Sequence, residues 1–309
     1  PNGISSNHQD AGSGAFGPDP GNVTVTAGQN IFGHFVVANG QGKISAGRAA
    51  GDSSRPLALS LVSGKWDVSA DSISLQEVRN PNGVFNAVGS GSPPPPNRFL
   101  FDYADSASVS LAARNSILLG AGAPPRIPNA PVPSIFPPSL SMSAGAGGIS
   151  IAQAFSLFPS ASGQLAITTL EGGSLSGGGI FMSDTRERQW TQNSGRFTDD
   201  GSFAPPGHLA DMAPALLDIS GSIRSFNLTL PKPADVRVGG DVADSSFRIQ
   251  NLRPTDTTRF TVAGSVSYRS EYSFFKLPEG VSDANLPQLK NAVNGLVSTP
   301  DRKSTRLNS

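Results

Sequence analysis

The sequence predicts an all-β protein built as a parallel β-helix solenoid, with proline-rich loop excursions and a short C-terminal helix. Its composition is the first observation behind this fold class. Gly (35) and Pro (26) are frequent among the 309 residues, whereas charged residues make up 15% and aromatic residues 7%. Such a composition is typical of short strands joined by turns. The second and third observations are a repeated phrase and the alternation of apolar residues inside it.

The repeated phrase has apolar residues at alternate positions, then a small residue with Gly nearby, then another apolar position. Alternation such as that of Val23 and Val25 directs apolar side chains to one face of a strand. The small residue and the Gly favour a sharp turn. The small residues that mark the phrase are Ala27, Ala46, Ala70, Ala113, Ala144, Gly239 and Ala263.

The spacing of these marks predicts the repeat unit. Successive marks are 19, 24, 43, 31, 95 and 24 residues apart. Several of these distances are one, two or four times a unit of roughly 20 to 24 residues, the period range of solenoids. Because one such unit cannot bury enough apolar surface to fold alone, neighbouring units must stack.

Breaks in the pattern predict the boundaries of the solenoid. Residues 1–21 form an irregular, Gly-rich lead-in, and residues 22–275 form the solenoid. Because Pro cannot donate to a strand ladder, the proline-rich stretches are predicted to leave it. The predicted excursions lie near 91–98, 122–139 and 184–214.

The C-terminal part of the chain has a different pattern. Residues 276–300 are predicted to form a short helix or a transition, because Leu286, Leu289, Val293 and Leu296 recur at helical spacing and Pro287 suits a first turn. Residues 301–309 match a translated sequencing-library adapter and are interpreted as an artefact. These nine residues carry three bases and one acid, so the formal charge of +0 becomes −2 without them.

Composition also argues against several functional classes. The chain has no Cys, which removes disulfides, thiolate nucleophiles and Cys-ligated zinc. A balanced charge without basic clusters argues against a nucleic-acid partner. No apolar run approaches the roughly 20 residues that span a bilayer, so the chain is predicted not to cross a membrane.

Glycoside cleavage needs two facing carboxyl groups, and several acidic residues are candidates for this role. Asp199 and Asp200 are adjacent, and adjacent strand residues point to opposite faces. Asp211 follows with His208 nearby, and a solvated loop is the favoured interpretation of this stretch. Turn and edge roles are favoured for another pair of carboxylates, Asp102 and Asp105 beside Tyr103.

Other kinds of site receive no support from the sequence. The three histidines, His8, His34 and His208, are far apart and lack acidic residues at zinc-ligand spacing, and His34 is interpreted as a packed or hydrogen-bonded residue. The tract from Gly172 to Gly179 lacks the spacing of a serine-hydrolase elbow. The stretch from Gly12 to Gly21, with Asp19, lacks the spacing of calcium-binding coils. The sequence thus predicts no catalytic residue, no cofactor and no metal site.

The two tryptophans, Trp66 and Trp190, suit either sugar stacking or the core.

Several longer phrases resemble the filamentous haemagglutinin-like exoproteins of two-partner secretion systems. The phrases are GQNIFGHFVVANGQGKISAG from Gly28, LQEVRNPNGVFN from Leu75, FLFDYADSASVSL from Phe99, DISGSI from Asp218 and VRVGGDVADSSFRIQNLRPTDTTRFTVAGSV from Val236. The resemblance implies a right-handed parallel β-helix, exported through an outer-membrane transporter to the cell surface. It also implies contact with glycans or proteins of a host or neighbouring cell. Asn80-Pro81-Asn82-Gly83 resembles a turn of the secretion domain, although an ordinary turn is the favoured interpretation.

Three functions remain open at this stage. The chain is interpreted first as an internal fragment of a secreted adhesin, in which it is an extended structural and display segment and not an enzyme. A polysaccharide lyase or glycoside hydrolase on the same scaffold is the second interpretation, because such scaffolds also carry these enzymes. The third is a surface structural protein without a specific ligand. Three or four charged side chains converging in one groove would favour the enzyme.

Overall fold

A computed structural model describes residues 12–81, 84–86, 98–121, 126–127, 130–131, 133–182, 189–191, 196–197 and 207–268. The described residues belong to one compact unit within residues 1–268, and residues 269–309 lie outside the described residues. The predicted helix at 276–300 and the tail at 301–309 therefore lie outside them as well. The described residues contain no helix, and the all-β prediction is confirmed for them.

The described residues form short strands. In chain order the strands of the first half are β1 (Ser13–Ala15), β2 (Val23–Ala27), β3 (His34–Val37), β4 (Gln41–Ala46), β5 (Ala49–Ala50), β6 (Leu57–Leu61), β7 (Lys65–Arg79), β8 (Val84–Asn86), β9 (Arg98–Leu100), β10 (Ser108–Leu119), β11 (Arg126–Ile127), β12 (Ala130–Pro131), β13 (Ile135–Phe136) and β14 (Ser139–Ala144). The remaining strands are β15 (Gly148–Ile151), β16 (Phe155–Leu157), β17 (Leu165–Thr169), β18 (Leu175–Ser176), β19 (Gly179–Phe181), β20 (Gln189–Thr191), β21 (Arg196–Phe197), β22 (Ala215–Ile219), β23 (Ile223–Arg224), β24 (Asn227–Leu230), β25 (Ala234–Val238), β26 (Val242–Ala243), β27 (Ser246–Ile249), β28 (Arg259–Val262) and β29 (Val266–Ser267).

Most strands belong to three parallel ladders, in which strand order follows chain order. The first ladder is β2-β4-β7-β10-β14-β17-β22-β25-β28. The second ladder is β5-β7-β10-β15-β18-β23-β26-β29. The third ladder has two runs, β1-β3-β6-β7 and β13-β16-β19-β24-β27.

The first ladder carries an unbroken apolar column. Because its strands are in register, one inward position of each strand lies directly above that of the preceding strand. From Ile44 to Val236 every side chain in the column is at most 2% exposed. The members in ladder order are Val25, Ile44, Val68, Leu111, Met142, Ile167, Leu217, Val236 and Phe260.

A close approach fixes one glycine in the neighbouring column. Gly42 pairs with Trp66, and a Cβ on Gly42 would lie 2.2 Å from the indole ring. Trp66 is fully buried, and its Nε1 donates a 3.0 Å hydrogen bond to the Ser60 carbonyl oxygen. Of the two roles open to Trp66, the structure therefore shows the core role.

The registers correct the predicted repeat count. Ala70 pairs directly with Ala113, so the 43-residue spacing is one step of the ladder and not two units. The 95-residue spacing from Ala144 to Gly239 holds three steps, through β17, β22 and β25, and not four. The difference arises because segments that leave the ladder lengthen some steps without adding a strand.

The predicted excursions contain structure of their own. β8, β9, β20 and β21, from around 91–98 and 184–214, form an antiparallel sheet outside the ladders, and β11 pairs with β12. Within the predicted excursion at 122–139, Ile135 and Phe136 belong to the third ladder. The predicted irregular lead-in likewise includes β1, which pairs with β3. A composition signal marks the proline-rich stretches but not the residue at which pairing resumes.

Candidate functional site

A buried ion pair lies beside the first ladder, between the turn before β22 and the turn before β25. The Lys232 side chain is fully buried, and the Asp211 side chain is 10% exposed. Lys232 Nζ contacts Asp211 Oδ2 directly and donates a 3.3 Å hydrogen bond to the Gly163 carbonyl oxygen. A fully buried lysine is unusual in proteins, which makes this pair the strongest candidate for a site.

Neighbouring donors hold the Asp211 carboxylate in place. Gln164 Nε2 donates to Oδ2 at 3.0 Å, and the Ala213 amide donates to Oδ1 at 3.0 Å. The Asp211 amide in turn donates to the carbonyl oxygen of His208, which is 1% exposed. Both oxygens of the carboxylate are thus occupied, as burial of a charge requires.

The pKa of Lys232 reflects this setting. Burial lowers the pKa of the Lys232 ammonium, since desolvation disfavours its charged form. The Asp211 carboxylate opposes this shift, and the charge of Arg253 adds to it. The pKa stays below its usual value on balance, so the amine is closer to neutrality than an exposed lysine.

Arg253, which lies between β27 and β28, also binds the turn at 207–214. Its Nη1 donates a 3.2 Å hydrogen bond to the Leu209 carbonyl oxygen, and its Nε donates to Asp256 Oδ1 at 2.7 Å. Burial raises the pKa of Asp256, but the hydrogen bonds from Arg253 and the Leu252 amide outweigh burial and lower it. Lys232 and Arg253 therefore both hold the turn at 207–214 against the first ladder.

A second polar network includes a serine and a histidine at hydrogen-bond distance. His34 Nε2 lies 2.6 Å from Ser60 Oγ, and Ser60 is 2% exposed. Arg79 Nη1 lies 3.1 Å from His34 Nδ1. Because a guanidinium can only donate, Nδ1 must accept, and the ring proton is on Nε2.

This tautomer is the wrong one for nucleophilic catalysis. Nε2 of His34 donates to Ser60, whereas a general base would have to accept the hydroxyl proton. The place of a triad carboxylate is taken by Arg79, whose Nε donates to Glu77 Oε1 at 2.7 Å. His34 is therefore a hydrogen-bonded residue in the third ladder, as its sequence setting indicates.

Two further sequence candidates have structural roles. Tyr103 is fully buried, and its hydroxyl lies 3.3 Å from the Val78 carbonyl oxygen and 3.1 Å from that of Ile135. Burial, and secondarily the charge of Glu77, raises the pKa of Tyr103. Asn80 accepts a 3.0 Å hydrogen bond from the Asp102 amide. The Tyr103 hydroxyl therefore lies between β7 and β13, which belong to the two runs of the third ladder.

An open groove of about 740 Å³ runs along the C-terminal edge of the first ladder, from β2 to β17. Its floor consists mostly of Ala, Gly, Ser and Thr residues, and two ionisable residues, Arg114 and Glu171, line it. Arg114 is already paired with Asp71 and donates to the Gly47 carbonyl oxygen at 3.0 Å. Among the described residues, no group of three His, Asp or Glu side chains could hold a metal ion.

The structure brings together some of the sequence candidates and leaves others apart. Asp211 and His208 share one turn, whereas Asp199, Asp200 and His8 lie outside the described residues. Sequence analysis missed Lys232 and Gln164, the partners of Asp211. One signal was present: Lys232 follows Asp211 by 21 residues, within the range of the repeat unit.

The described residues contain no helix long and apolar enough to cross a membrane. In comparisons with known proteins, the chain matches no protein-family model, and no curated protein or solved structure shows significant similarity to it.

Proposed function

We propose that the chain is an extended display segment of a secreted surface protein, built as a right-handed parallel β-helix whose faces are the three ladders. The observation that carries this proposal is the apolar column, which continues through nine successive strands of the first ladder. Strands stacked in this way add about 4.8 Å each, so nine strands extend over roughly 40 Å.

Stacking is well suited to reach and display. Each level buries its apolar side chains against the next and bonds to it through the backbone, so length can grow without a larger core. Segments that leave the ladder add surface along its sides without breaking the column. The antiparallel sheet of β8, β9, β20 and β21 and the turn at 207–214 are such additions.

The longer phrases from Gly28, Leu75, Phe99, Asp218 and Val236 support the cellular part of the proposal. They resemble filamentous haemagglutinin-like exoproteins, and therefore favour export through an outer-membrane two-partner secretion transporter. The segment then lies on the extracellular face of the outer membrane, where its loops contact glycans or proteins of other cells.

A carbohydrate-active enzyme on the same scaffold is the alternative. The groove would have to bring together three or four charged side chains, yet Arg114 and Glu171 are its two ionisable lining residues and Arg114 is engaged by Asp71. This arrangement favours display over catalysis at the groove.

Surface exposure tests the proposal on intact source cells. Antibodies raised against the purified chain should label cells before lysis, and protease added outside should remove the label. Deletion of the partner transporter gene should abolish it. Labelling that requires lysis would overturn the proposal. New reducing or unsaturated ends from a polysaccharide panel would favour the enzyme instead.

A further inference from the structure

The buried pair between Asp211 and Lys232 has the arrangement that an amide bond between the two side chains requires. We propose that these residues condense to an intramolecular isopeptide bond that joins the turn before β22 to the turn before β25. The proposal is independent of the display function, and it rests on burial, direct contact and the donors around the pair.

Water exclusion is the first requirement. Lys232 is fully buried and Asp211 is 10% exposed, so the charged forms of both groups lose most of their hydration. The proposed reaction begins with transfer of one proton from Lys232 Nζ to the contacting Oδ2 of Asp211, which leaves a neutral amine. The lowered pKa of the Lys232 ammonium acts in the same direction. A neutral amine is the nucleophile that the reaction needs.

Fixed geometry is the second requirement. Nζ of Lys232 contacts Asp211 Oδ2, and the Gly163 carbonyl oxygen accepts a 3.3 Å hydrogen bond from the same amine. Oδ1 is held by the Ala213 amide at 3.0 Å, and Oδ2 by Gln164 Nε2 at 3.0 Å. Intramolecular reactions between well-oriented groups reach effective molarities of about 10⁵ M or more.

The step balances without another reactant. Nζ attacks Cγ of Asp211, and the tetrahedral intermediate places negative charge on Oδ1, where the Ala213 amide donates. Oδ2, which received its first proton from the ammonium, takes a second from Nζ and leaves as water. One C–N bond forms and one C–O bond breaks, with no oxidation or reduction.

An exposed pair in the same chain provides the internal control. Lys65 Nζ and Asp67 Oδ2 lie 3.4 Å apart, and their side chains are 43% and 50% exposed. Water reaches both groups, so this pair does not meet the requirement of water exclusion. The two pairs differ in burial, and the proposal predicts a bond in the buried pair alone.

Intact mass spectrometry of the purified, folded full chain tests the proposal. The native chain should weigh one water less than its sequence mass, and Lys65→Arg should show the same loss relative to its own sequence mass. Lys232→Arg retains the charge but cannot form the bond, so its mass should equal the sequence mass. This variant also excludes dehydration elsewhere, such as at the Asp200-Gly201 step.

Peptide mapping locates the bond. A branched tryptic peptide that joins the segments around Asp211 and Lys232 has the same mass as a linear peptide uncleaved at Arg224. It carries two amino termini, however, so the first cycle of Edman degradation releases both Phe197 and Ser225, whereas the linear peptide releases Phe197 alone. A folded native chain with its full sequence mass, or a water loss that persists in Lys232→Arg, would overturn the proposal.

Discussion

The interior of the ladders and their last described strands differ in burial although their residues are alike. Val242 and Val266 are registered neighbours in the second ladder, yet Val242 is 3% exposed and Val266 is 71% exposed. In the first ladder, Val236 is fully buried and its neighbour Phe260 is 42% exposed. Burial of a column residue is therefore supplied by the strand stacked on it and not by its own strand.

The same contrast exists across a single strand. In β22, Leu217 points into the apolar column and is 1% exposed, whereas Leu216 points outward and is 49% exposed. Two identical side chains thus contribute differently to the free energy of unfolding, because only one of them lies in the apolar column.

The largest effect is expected from the two leucines of β22. Leu217→Ala should lower the free energy of unfolding by about 2 to 5 kcal/mol, because it removes buried methyl groups and leaves a cavity. Leu216→Ala should change it by about 0.5 kcal/mol or less. Urea unfolding followed by circular dichroism measures both values. Equal losses would show that β22 does not present one face to a core.

A smaller difference is expected between the two valines of the second ladder. Val242→Ala should cost about 1.5 kcal/mol, the value of roughly two buried methylene equivalents. The cost of Val266→Ala should be only a few tenths of the cost of Val242→Ala, because the Val266 side chain is largely hydrated already. Thermal unfolding midpoints compare the variants directly. A larger shift for Val266→Ala would mean that further chain buries the end of the ladder.

Serine hydroxyl groups in the turns between strands are expected to have the next largest effect on the free energy of unfolding. Ser222 Oγ accepts a 3.0 Å hydrogen bond from the Asp241 amide, one strand further along the ladders. Ser222→Ala should therefore cost about 1 kcal/mol, the net value of one hydrogen bond. Its control is Ser265→Ala, at the exposed corner between β28 and β29. A neutral Ser222→Ala would indicate that water replaces the hydroxyl.

The smallest effect is a pH dependence in the turn at 52–55. Hydrogen bonds from the Ser54 hydroxyl and the Arg55 amide lower the pKa of Asp52 to about 2. A lowered folded pKa stabilises the turn above the ordinary value of 3.8, and this contribution is lost as the pH falls from about 4 towards 2. Carboxyl chemical shifts measured during an acid titration should give this midpoint. An ordinary midpoint would contradict the hydrogen-bonded turn.

Sequence patterns predicted seven of the nine strands of the first ladder, all except β17 and β22, because apolar alternation is local. The marks Ala27, Ala46, Ala70 and Ala113 lie on strands that are successive partners, as the spacing of the phrase indicates. Step lengths were less predictable, because a segment that leaves the ladder lengthens a step by an amount that alternation does not encode. Pairing of β9 with β20 depends on contacts between residues about 90 positions apart, beyond the reach of local patterns.

The candidate site was predictable in part. Asp211 and His208 stand out as ionisable residues in a proline-rich stretch, but nothing local indicates that Lys232 is buried. Burial of this lysine depends on carbonyl and carboxylate oxygens from Gly163 and Asp211, which the stacking brings to it. A charged residue one repeat unit from an opposite charge is the signal that could have identified it.

Disulfide trapping tests the in-register parallel stacking most directly, because the chain has no Cys of its own. Ser45 and Ser69 are registered partners with their Oγ atoms 3.1 Å apart, and adjacent strands lie about 4.8 Å apart, within disulfide range. Ser45→Cys/Ser69→Cys should therefore oxidise to an intramolecular disulfide. Ser45→Cys/Ala112→Cys, two strands apart at about 9.6 Å, should keep free thiols. A disulfide in the second variant, or none in the first, would contradict the stacking.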